Sequence, residues 1–323
     1  MADTSSIEWT DATWQPVTGC SVVSPGCTNC YAMRLAGTRL AHHPSRAGLT
    51  IDTKAGPVWN GKVRLNEEWL LQPLRWRRPR RIFVCAHGDL FHESVPDEWI
   101  DRVFAVMAIA PQHTFQVLTK RSGRMREYLS GDALRRVAQS ANRIRPVAGM
   151  IAWPLTNVWL GVTAEDQTRA NERIPDLLAT PTALRFVSIE PMLGPVDLRN
   201  VSPADKYEID ALSGYDFDRG LVGPRLDWVI CGGESGPNAR PMHPDWARGL
   251  RDQCAAAGVP FFHKQNGEFA SVSEVCGVGA HHQFPDGSTV RRVGKARAGR
   301  LLDGREHNAM PEARRQIAKE AQG

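Results

Sequence analysis

The sequence predicts an α/β fold, a full or partial (β/α) TIM-like barrel, from three observations. Short apolar runs of β-type residues recur along the chain, and most are too uniformly apolar to leave one face in water. Segments long enough for crossover helices separate these runs. Polar residues follow most of the runs, as they do at the ligand-binding end of parallel α/β sheets. A doubly wound open sheet is the alternative, because periodicity does not show whether a sheet closes.

Seven apolar runs are the predicted strands, and three of the segments between them are the clearest predicted helices. A glycine directly follows the last helix, where a left-handed C-cap is common. The strands are Trp9–Trp14, Arg81–Ala86, Thr114–Leu118, Val158–Val162, Leu184–Ile189, Leu226–Cys231 and Val259–His263; the helices are Pro96–Ala110, Thr168–Ala179 and Pro244–Ala257, with Gly258 as the cap.

The predicted domain organisation is one barrel over residues 1–275 and a small appendage over 276–323. Two segments interrupt the alternation of strands and helices and are predicted insertions. Residues 122–156 have helical character, whereas 200–225 are rich in Gly, Asp and Pro. The appendage is rich in Gly and Arg and contains a strand-like piece over Ser288–Val293.

Composition excludes several classes of protein. The 323 residues are 42% hydrophobic and 23% charged, which are ordinary values for a globular chain. No apolar run approaches the roughly 20 residues that cross a bilayer, so we expect no membrane association. The polar and acidic N-terminus over residues 1–9 does not resemble a signal peptide, and we expect a cytoplasmic protein. The net charge of +5 permits nucleic-acid binding without arguing for it.

The ends of the predicted strands carry the candidate binding residues. Because the carboxyl ends of parallel strands open on one mouth, charged groups at successive strand ends predict a lined site there. The residues that follow the strands are His87, Gly88 and Asp89; Thr119, Lys120 and Arg121; Thr163, Glu165 and Asp166; Ser188 and Glu190; Gly232, Gly233, Glu234 and Ser235; and Lys264 and Gln265.

Three of the seven cysteines fall within eleven residues, with the spacing C-x6-C-x2-C. Clustered cysteines in a reducing compartment point to metal and not to a disulfide framework. Cys20, Cys27 and Cys30 as ligands of a [4Fe–4S] cluster leave one iron open for a substrate or cofactor. A structural zinc site needs a fourth ligand, for which His42 and His43 are candidates. Three unligated cysteines are the remaining alternative.

Motifs along nearly the whole chain resemble those of a phage-associated family named for a three-cysteine motif. That family is itself similar to radical S-adenosylmethionine (SAM) enzymes, with spore photoproduct lyase among the relatives. The matching stretches are Trp14–Cys20, Cys27, Cys30–Ala32, Gly88–Phe91, Leu118–Arg121, Ser188–Pro191, Gly232–Gly236, His263–Gln265 and Gly299–Gly304.

Two features depart from the common radical-SAM pattern. The first two cysteines are separated by six residues, whereas the common loop has three. A Gly-Gly-Glu triplet follows the second strand in many of those enzymes and holds the amino group of SAM, but here Gly232, Gly233 and Glu234 follow the sixth. The position after the second strand belongs to Asp89, which is therefore our candidate for that amino group.

The resemblance implies a barrel of the radical-SAM type with a [4Fe–4S] cluster and SAM as cofactors. Its expected partners are an electron donor such as a flavodoxin or ferredoxin, a partner protein encoded nearby, and an unknown substrate for which a nucleotide or nucleic acid is a candidate. Lys120, Arg121 and Glu190 are the candidate catalytic residues, since the two cations suit a carboxylate or phosphate. Candidate cofactor-binding residues are Asp89, Thr163, Glu165, Ser188, Gly232, Gly233 and Glu234.

Each of these side chains also has a purely structural interpretation. Lys120 with Glu190, or Arg121 with Glu165, would form ion pairs that brace the mouth of the barrel. The glycine pair would permit either close approach to a ligand or only a tight turn.

Two further functions remain open at the level of the sequence. A zinc-stabilised nucleic-acid-binding protein would use the arginines at positions 75, 77, 78, 80 and 81 as phosphate contacts. These arginines precede a strand and so belong to the face opposite the mouth. A catalytically silent barrel would retain the cluster and act through a partner protein.

Overall fold

A computed structural model describes Ser5 and residues 7–147, 149–203 and 207–312. The predicted N-terminus and the end of the predicted appendage therefore lie partly outside the described residues. The strands are β1 (Ala12–Trp14), β2 (Val17–Thr18), β3 (Thr50–Thr53), β4 (Gly56–Trp59), β5 (Arg64–Leu65), β6 (Arg81–Val84), β7 (Thr114–Thr119), β8 (Val158–Thr163), β9 (Leu184–Ile189), β10 (Ile209–Asp210), β11 (Tyr215–Asp216), β12 (Leu221–Val222), β13 (Trp228–Gly232), β14 (Phe261–Gln265), β15 (Phe269–Ser271), β16 (His281–Gln283) and β17 (Thr289–Arg292).

The helices alternate with the main strands. Two short 3-10 helices cover Pro25–Cys27 and Gln72–Arg75. The α-helices are α1 (Tyr31–Gly37), α2 (Glu67–Leu70), α3 (Asp97–Ala108), α4 (Ser122–Ser130), α5 (Ala133–Ile144), α6 (Gln167–Ala179), α7 (Pro244–Ala257) and α8 (Lys295–Ala298).

A seven-stranded parallel sheet is the centre of the fold. Its order is β1-β6-β7-β8-β9-β13-β14, so each new strand is added beside the preceding one. A doubly wound sheet would reverse this order at a switch point, and no reversal occurs among the described strands. The sheet curls into a half-barrel whose first and last strands do not pair. The partial barrel is therefore the correct one of the predicted alternatives.

Both faces of the sheet are buried, which explains the uniformly apolar strands. One face packs against helices α3, α6 and α7, whose positions match the predicted crossover helices. Gly258 ends α7 with a φ of +66°, a left-handed conformation that glycine adopts without cost. The other face carries a cluster of aromatic side chains, which includes Phe83, Trp159, Phe186, Trp228 and Phe262.

Two segments outside the sheet cover the open side of the half-barrel. Trp9 packs edge-on against Phe83 at a centroid distance of 4.8 Å and joins the aromatic cluster. Met310 packs against the same cluster, and the backbone oxygen of Ala309 accepts a hydrogen bond of 2.9 Å from the Trp228 indole. These contacts fill the lower part of the interior, so that only its upper end remains open.

The smaller elements lie around this sheet. The predicted helical insertion over 122–156 contains α4 and α5, and the insertion over 200–225 contains the three-stranded sheet β10–β12. Strands β15, β17 and β16 form another small sheet, which begins at Phe269 and therefore before the predicted boundary at 276. None of the helices in the described parts of the chain combines the length and apolar character needed to span a membrane.

Helix α1 packs beside the β3–β4 hairpin. Its Met33 and Ala36 side chains belong to one apolar cluster with Leu49 and Trp59. The hairpin lies outside the alternating pattern of the barrel, so its contact with α1 has no periodic signal in the sequence.

Candidate functional site

A cavity of about 660 Å³ opens at the carboxyl ends of the parallel strands. Side chains alternate between the two faces of a strand, so Ser188 and Lys264 lie on the same face as Phe186 and Phe262 and one step nearer the carboxyl ends. The cavity brings together most of the residues predicted from the sequence. Those that line it are Cys20, Cys27, Cys30, Asp89, Lys120, Arg121, Thr163, Ser188, Glu190, Gly233 and Glu234, whereas Glu165 and Gly232 lie behind its wall.

The cysteine loop, residues 20–30, connects the N-terminal strands to α1 and forms one side of the cavity. Cys27 ends the 3-10 helix, and Cys30 precedes the first turn of α1. Burial, and then the Asp89 carboxylate, raise the pKa of the Cys20 thiol to about 12. Burial likewise raises the pKa of the Cys30 thiol. The Arg121 guanidinium, which donates to the Cys20 sulfur at 3.3 Å, acts on the Cys20 pKa in the opposite direction.

The three thiols are not arranged around a single small ion. Among the described residues, His243, Asp245 and Asp286 bring ligand atoms within 4.8 Å of one another, and the cysteines do not form such a group. His243 caps α7 by accepting from the backbone of Asp245, which accounts for that cluster without a metal. His42 is exposed and His43 bonds to Ser45, so neither completes a site with the thiols.

A buried ion pair lies at the end of β6. Asp89 accepts hydrogen bonds from the Thr119 hydroxyl at 2.6 Å and from the backbone amide of Lys120 at 3.1 Å. The Arg121 guanidinium donates to the same carboxylate at 3.1 Å, and both side chains are about 5% exposed. Arg121 also donates to the Cys20 sulfur at 3.3 Å and to the Ser21 hydroxyl at 2.7 Å. The pair therefore fixes one end of the cysteine loop.

Glu165 forms a second buried network, at the end of β8. Its carboxylate is fully buried and pairs with Lys120 and with Arg173, the latter at 3.1 Å. Burial acts to raise the pKa of Glu165, but the two cations outweigh it and hold the pKa below its usual value. The Ser24 hydroxyl donates to Glu165 at 2.6 Å. These partners differ from the ion pairs considered from the sequence, which joined Lys120 to Glu190 and Arg121 to Glu165.

A third carboxylate, Glu234, follows β13 and pairs with Arg240. Burial acts to raise the pKa of Glu234, and the hydrogen bonds from Arg240 and from the Asn29 amide more than offset it. The Asn29 side chain donates to Glu234 at 2.9 Å and to the backbone oxygen of Asn238 at 2.8 Å. Glu234 therefore contacts the far end of the cysteine loop.

The glycine pair serves close packing of backbone. A Cβ atom at Gly233 would lie 2.2 Å from the backbone oxygen of Asn266, and the Gly233 amide donates to the Gln265 oxygen at 2.8 Å. A Cβ atom at Gly232 would lie 3.3 Å from the Glu190 carboxylate. Glycine at position 233 lets the loops after β13 and β14 meet, which is a structural reason for the motif.

The interior wall of the cavity carries polar groups from β8, β9 and β14. Thr163 and Ser188 line it, and Glu190 pairs with Lys264 at 2.9 Å. The Gln265 amide donates to Glu190 at 3.1 Å, while its oxygen is buried with no hydrogen-bond partner among the described residues. These side chains line the same cavity as the three cysteines.

Several residues of the site were not predicted. Ser24, Asn29, Arg173 and Arg240 hold the charged groups in place, but each lies in a loop or helix with no distinguishing pattern. Trp9 forms part of the cavity floor, and its indole nitrogen is buried with no hydrogen-bond partner among the residues described. Lys264 and Gln265, by contrast, were among the predicted strand-end residues, and both line the cavity.

The fold and the cavity define a partial (β/α) barrel with a three-cysteine loop beside a polar mouth. The chain belongs to the family described as "Protein of unknown function (DUF5131)", whose model matches residues 4–311. No curated protein and no solved structure matches the chain.

Proposed function

We propose that this protein is a radical-SAM-like enzyme, in which a [4Fe–4S] cluster on Cys20, Cys27 and Cys30 cleaves SAM reductively to start radical chemistry on a substrate. One observation carries the proposal: three thiols of one loop line the same cavity as the polar ends of the barrel strands. The sequence motifs that resemble the phage-associated three-cysteine family and its radical-SAM relatives, spore photoproduct lyase among them, support it.

The spacing of the three thiols does not fit a single zinc ion. A zinc ion bound at about 2.3 Å by tetrahedral thiolates would bring their sulfurs within about 4 Å of one another. The three cysteine sulfurs do not all come within 4.8 Å of one another. A multi-iron cluster separates its thiolate ligands more widely, and three protein ligands leave one iron accessible from the cavity.

The bound cofactors supply the one-electron and radical chemistry, and the chain supplies binding, orientation and exclusion of water. Thr163 and Ser188 offer hydroxyl groups to a polar ligand in the cavity. The Glu190–Lys264 pair offers an acceptor and a donor on the same wall, held at 2.9 Å from each other. The aromatic floor below them excludes water from the barrel interior.

Two of the three candidate catalytic residues already have buried partners. Arg121 is neutralised by Asp89, and Lys120 by Glu165, so both hold the cavity wall through these pairs. Glu190 also lines the cavity, where it pairs with Lys264, and both of these side chains are partly exposed. We expect the protein to work in the cytoplasm with a flavodoxin or ferredoxin as electron donor, and with a nucleotide or nucleic acid as substrate.

The test is anaerobic reconstitution with iron and sulfide, followed by EPR of the reduced protein with and without SAM. We expect about four irons per chain and a spectrum that SAM alters, as an open [4Fe–4S] site requires. Cys27→Ala should abolish the cluster, whereas Cys254→Ala should retain it because Cys254 is buried in α7 away from the cavity. Zinc in place of iron, or full iron in Cys27→Ala, would refute the assignment.

A cluster whose spectrum is unchanged by SAM would favour a different function. The barrel would then be catalytically silent and would act through a partner protein. Salt-sensitive binding of nucleic acid by a zinc-loaded protein would instead favour the nucleic-acid-binding alternative.

A further inference from the structure

Three carboxylates that follow strands of the barrel each contact the cysteine loop. Asp89 reaches the loop through Arg121, which donates to the Cys20 sulfur and to Ser21. Glu165 accepts directly from the Ser24 hydroxyl. Glu234 accepts directly from the Asn29 amide. The contacts are spread along residues 20–30, so the loop is held at its beginning, middle and end.

Glu165 makes the closest of these contacts. Its side chain is completely buried, and it fills the space beside Gly26. A Cβ atom at Gly26 would lie 2.4 Å from the Glu165 Cγ and 2.4 Å from Oε1, far inside van der Waals contact. Glycine at position 26 therefore allows the loop backbone to lie directly on the glutamate. The turn that positions Cys27 rests on this side chain.

The Glu165 carboxylate also neutralises nearby cations. Lys120, which lines the cavity, and the buried Arg173 both pair with it. With the Ser24 hydroxyl, these donors occupy three of the roughly four acceptor positions of the carboxylate. Because the Glu165 side chain is fully buried, its charge acts on these neighbours from behind the cavity wall.

We infer that Glu165 is a positioning residue, which holds the turn of residues 24–27 on the end of β8 and so sets where the Cys27 sulfur lies. Asp89 with Arg121, and Glu234, do the same for the two ends of the loop. The inference goes beyond the proposed function, because it concerns the loop in protein that holds no iron.

The test is hydrogen exchange of the full chain without iron, in wild type, Glu165→Gln and Glu172→Gln. The amides of Cys27 and Thr28 donate to Ser24 and Pro25 within the turn and report on its order. Glu165→Gln keeps an oxygen for Ser24 but leaves Lys120 and Arg173 without a counter-charge. Hydrogen exchange of the Cys27 and Thr28 amides should therefore accelerate by about tenfold or more, whereas exchange of the β8 amides should not change. Glu172 pairs with Arg169 on the surface of α6 and with no other cation among the described residues, so Glu172→Gln should exchange as wild type does.

A second pair of variants decides the matter if Glu165→Gln fails to fold. Gly26→Ala should accelerate exchange of the turn, because the new methyl group meets the glutamate. In a Glu165→Asp background the carboxylate is withdrawn by one methylene, so Gly26→Ala should have a much smaller effect. Such non-additivity is expected of residues that are in contact, and distant, independent positions do not show it. Additive effects at positions 26 and 165, or unchanged exchange in all variants, would overturn the inference.

The outcomes for the loop and for the metal are separable. Faster exchange of the turn in Glu165→Gln, with no iron bound by the wild type, would retain the positioning role and remove the proposed function. Iron in the wild type, with exchange of the turn unaffected by Glu165→Gln, would retain the proposed function and remove the positioning role. If iron binds, the EPR line shape of reconstituted Glu165→Gln should differ from that of wild type, which a merely stabilising residue would leave unchanged.

Discussion

The buried pair between Asp89 and Arg121 gives a sharp prediction about stability. Asp89→Asn preserves the shape of the side chain but removes its charge and replaces one oxygen by an NH2 group. All four groups around the carboxylate are donors: the Thr119 hydroxyl, the amides of Phe91 and Lys120, and the Arg121 guanidinium. Whichever way the asparagine amide turns, a donor faces a donor.

The expected loss follows from the burial of the pair. Side-chain exposures of 5% for Arg121 and 6% for Asp89 leave water little access to screen or replace the interaction. Removal of one partner from a buried pair costs about 3–5 kcal/mol, since the other charge stays buried. Glu93 lies 3.4 Å from Arg121 and compensates little, because 62% of its side chain is exposed. We expect a loss of about 3 kcal/mol.

The matched control is Asp11→Asn, which breaks the pair between Asp11 and Arg81 at the opposite end of the sheet. Those side chains are 45% and 39% exposed, and an exposed pair contributes less than about 1 kcal/mol. Urea unfolding of the protein without iron, followed by circular dichroism, compares the two variants. A midpoint for Asp89→Asn no lower than that for Asp11→Asn would refute the reasoning.

Three further predictions concern the interior of the barrel, the C-cap of α7 and the response of stability to pH. Gly161→Ala would place a Cβ atom 2.5 Å from the Phe186 ring, so we expect a loss of about 1–3 kcal/mol, partly restored by Phe186→Leu in thermal unfolding. Gly258→Ala meets open space and should lose only the cost of its left-handed conformation, about 1 kcal/mol. Burial lowers the pKa of His263 to about 4, so the unfolded chain takes up its proton first as pH falls from 6.5 towards 4. The free energy of unfolding should therefore drop by about 2 kcal/mol between pH 7 and 4.5. Urea midpoints at the two pH values should show that His263→Gln lacks this part of the pH dependence. An equal pH dependence in wild type and variant would contradict the prediction.

The strands and the main helices were predictable because burial on both faces leaves a direct mark on the sequence. All six residues of β8, Val158–Thr163, are buried, so the whole strand is apolar or small. The helix C-cap at Gly258 was predictable from local backbone preference alone. The degree of closure was not, because it depends on whether β1 and β14 meet, and no local pattern encodes a contact between the two ends of a sheet.

The position of the site was predictable, but the partners within it were not. Parallel strands carry their carboxyl ends to one mouth, which is why polar residues from six strand ends meet around one cavity. Which cation neutralises which carboxylate depends on packing across the mouth. Arg173 lies in α6, eight residues after Glu165. Sequence periodicity indicates that its position faces the inner side of the helix, but it does not indicate which carboxylate the guanidinium meets. The cysteine loop was the strongest local signal, yet its contacts with three strand ends required the structure.

The half-barrel explains why most of the lower interior is apolar. An open barrel exposes its interior along one side, and here Trp9 and the segment around Met310 fill the lower part with apolar surface. Gln116 of β7 is a polar side chain at the level of the rings, in register with Phe83 and Trp159. Its amide donates to the Trp9 backbone oxygen at 3.4 Å, but its buried oxygen has no hydrogen-bond partner among the described residues, which costs free energy. Thr163 and Ser188 lie nearer the carboxyl ends of the strands and line the cavity, so substitutions there should change ligand binding while the aromatic cluster below continues to support the fold.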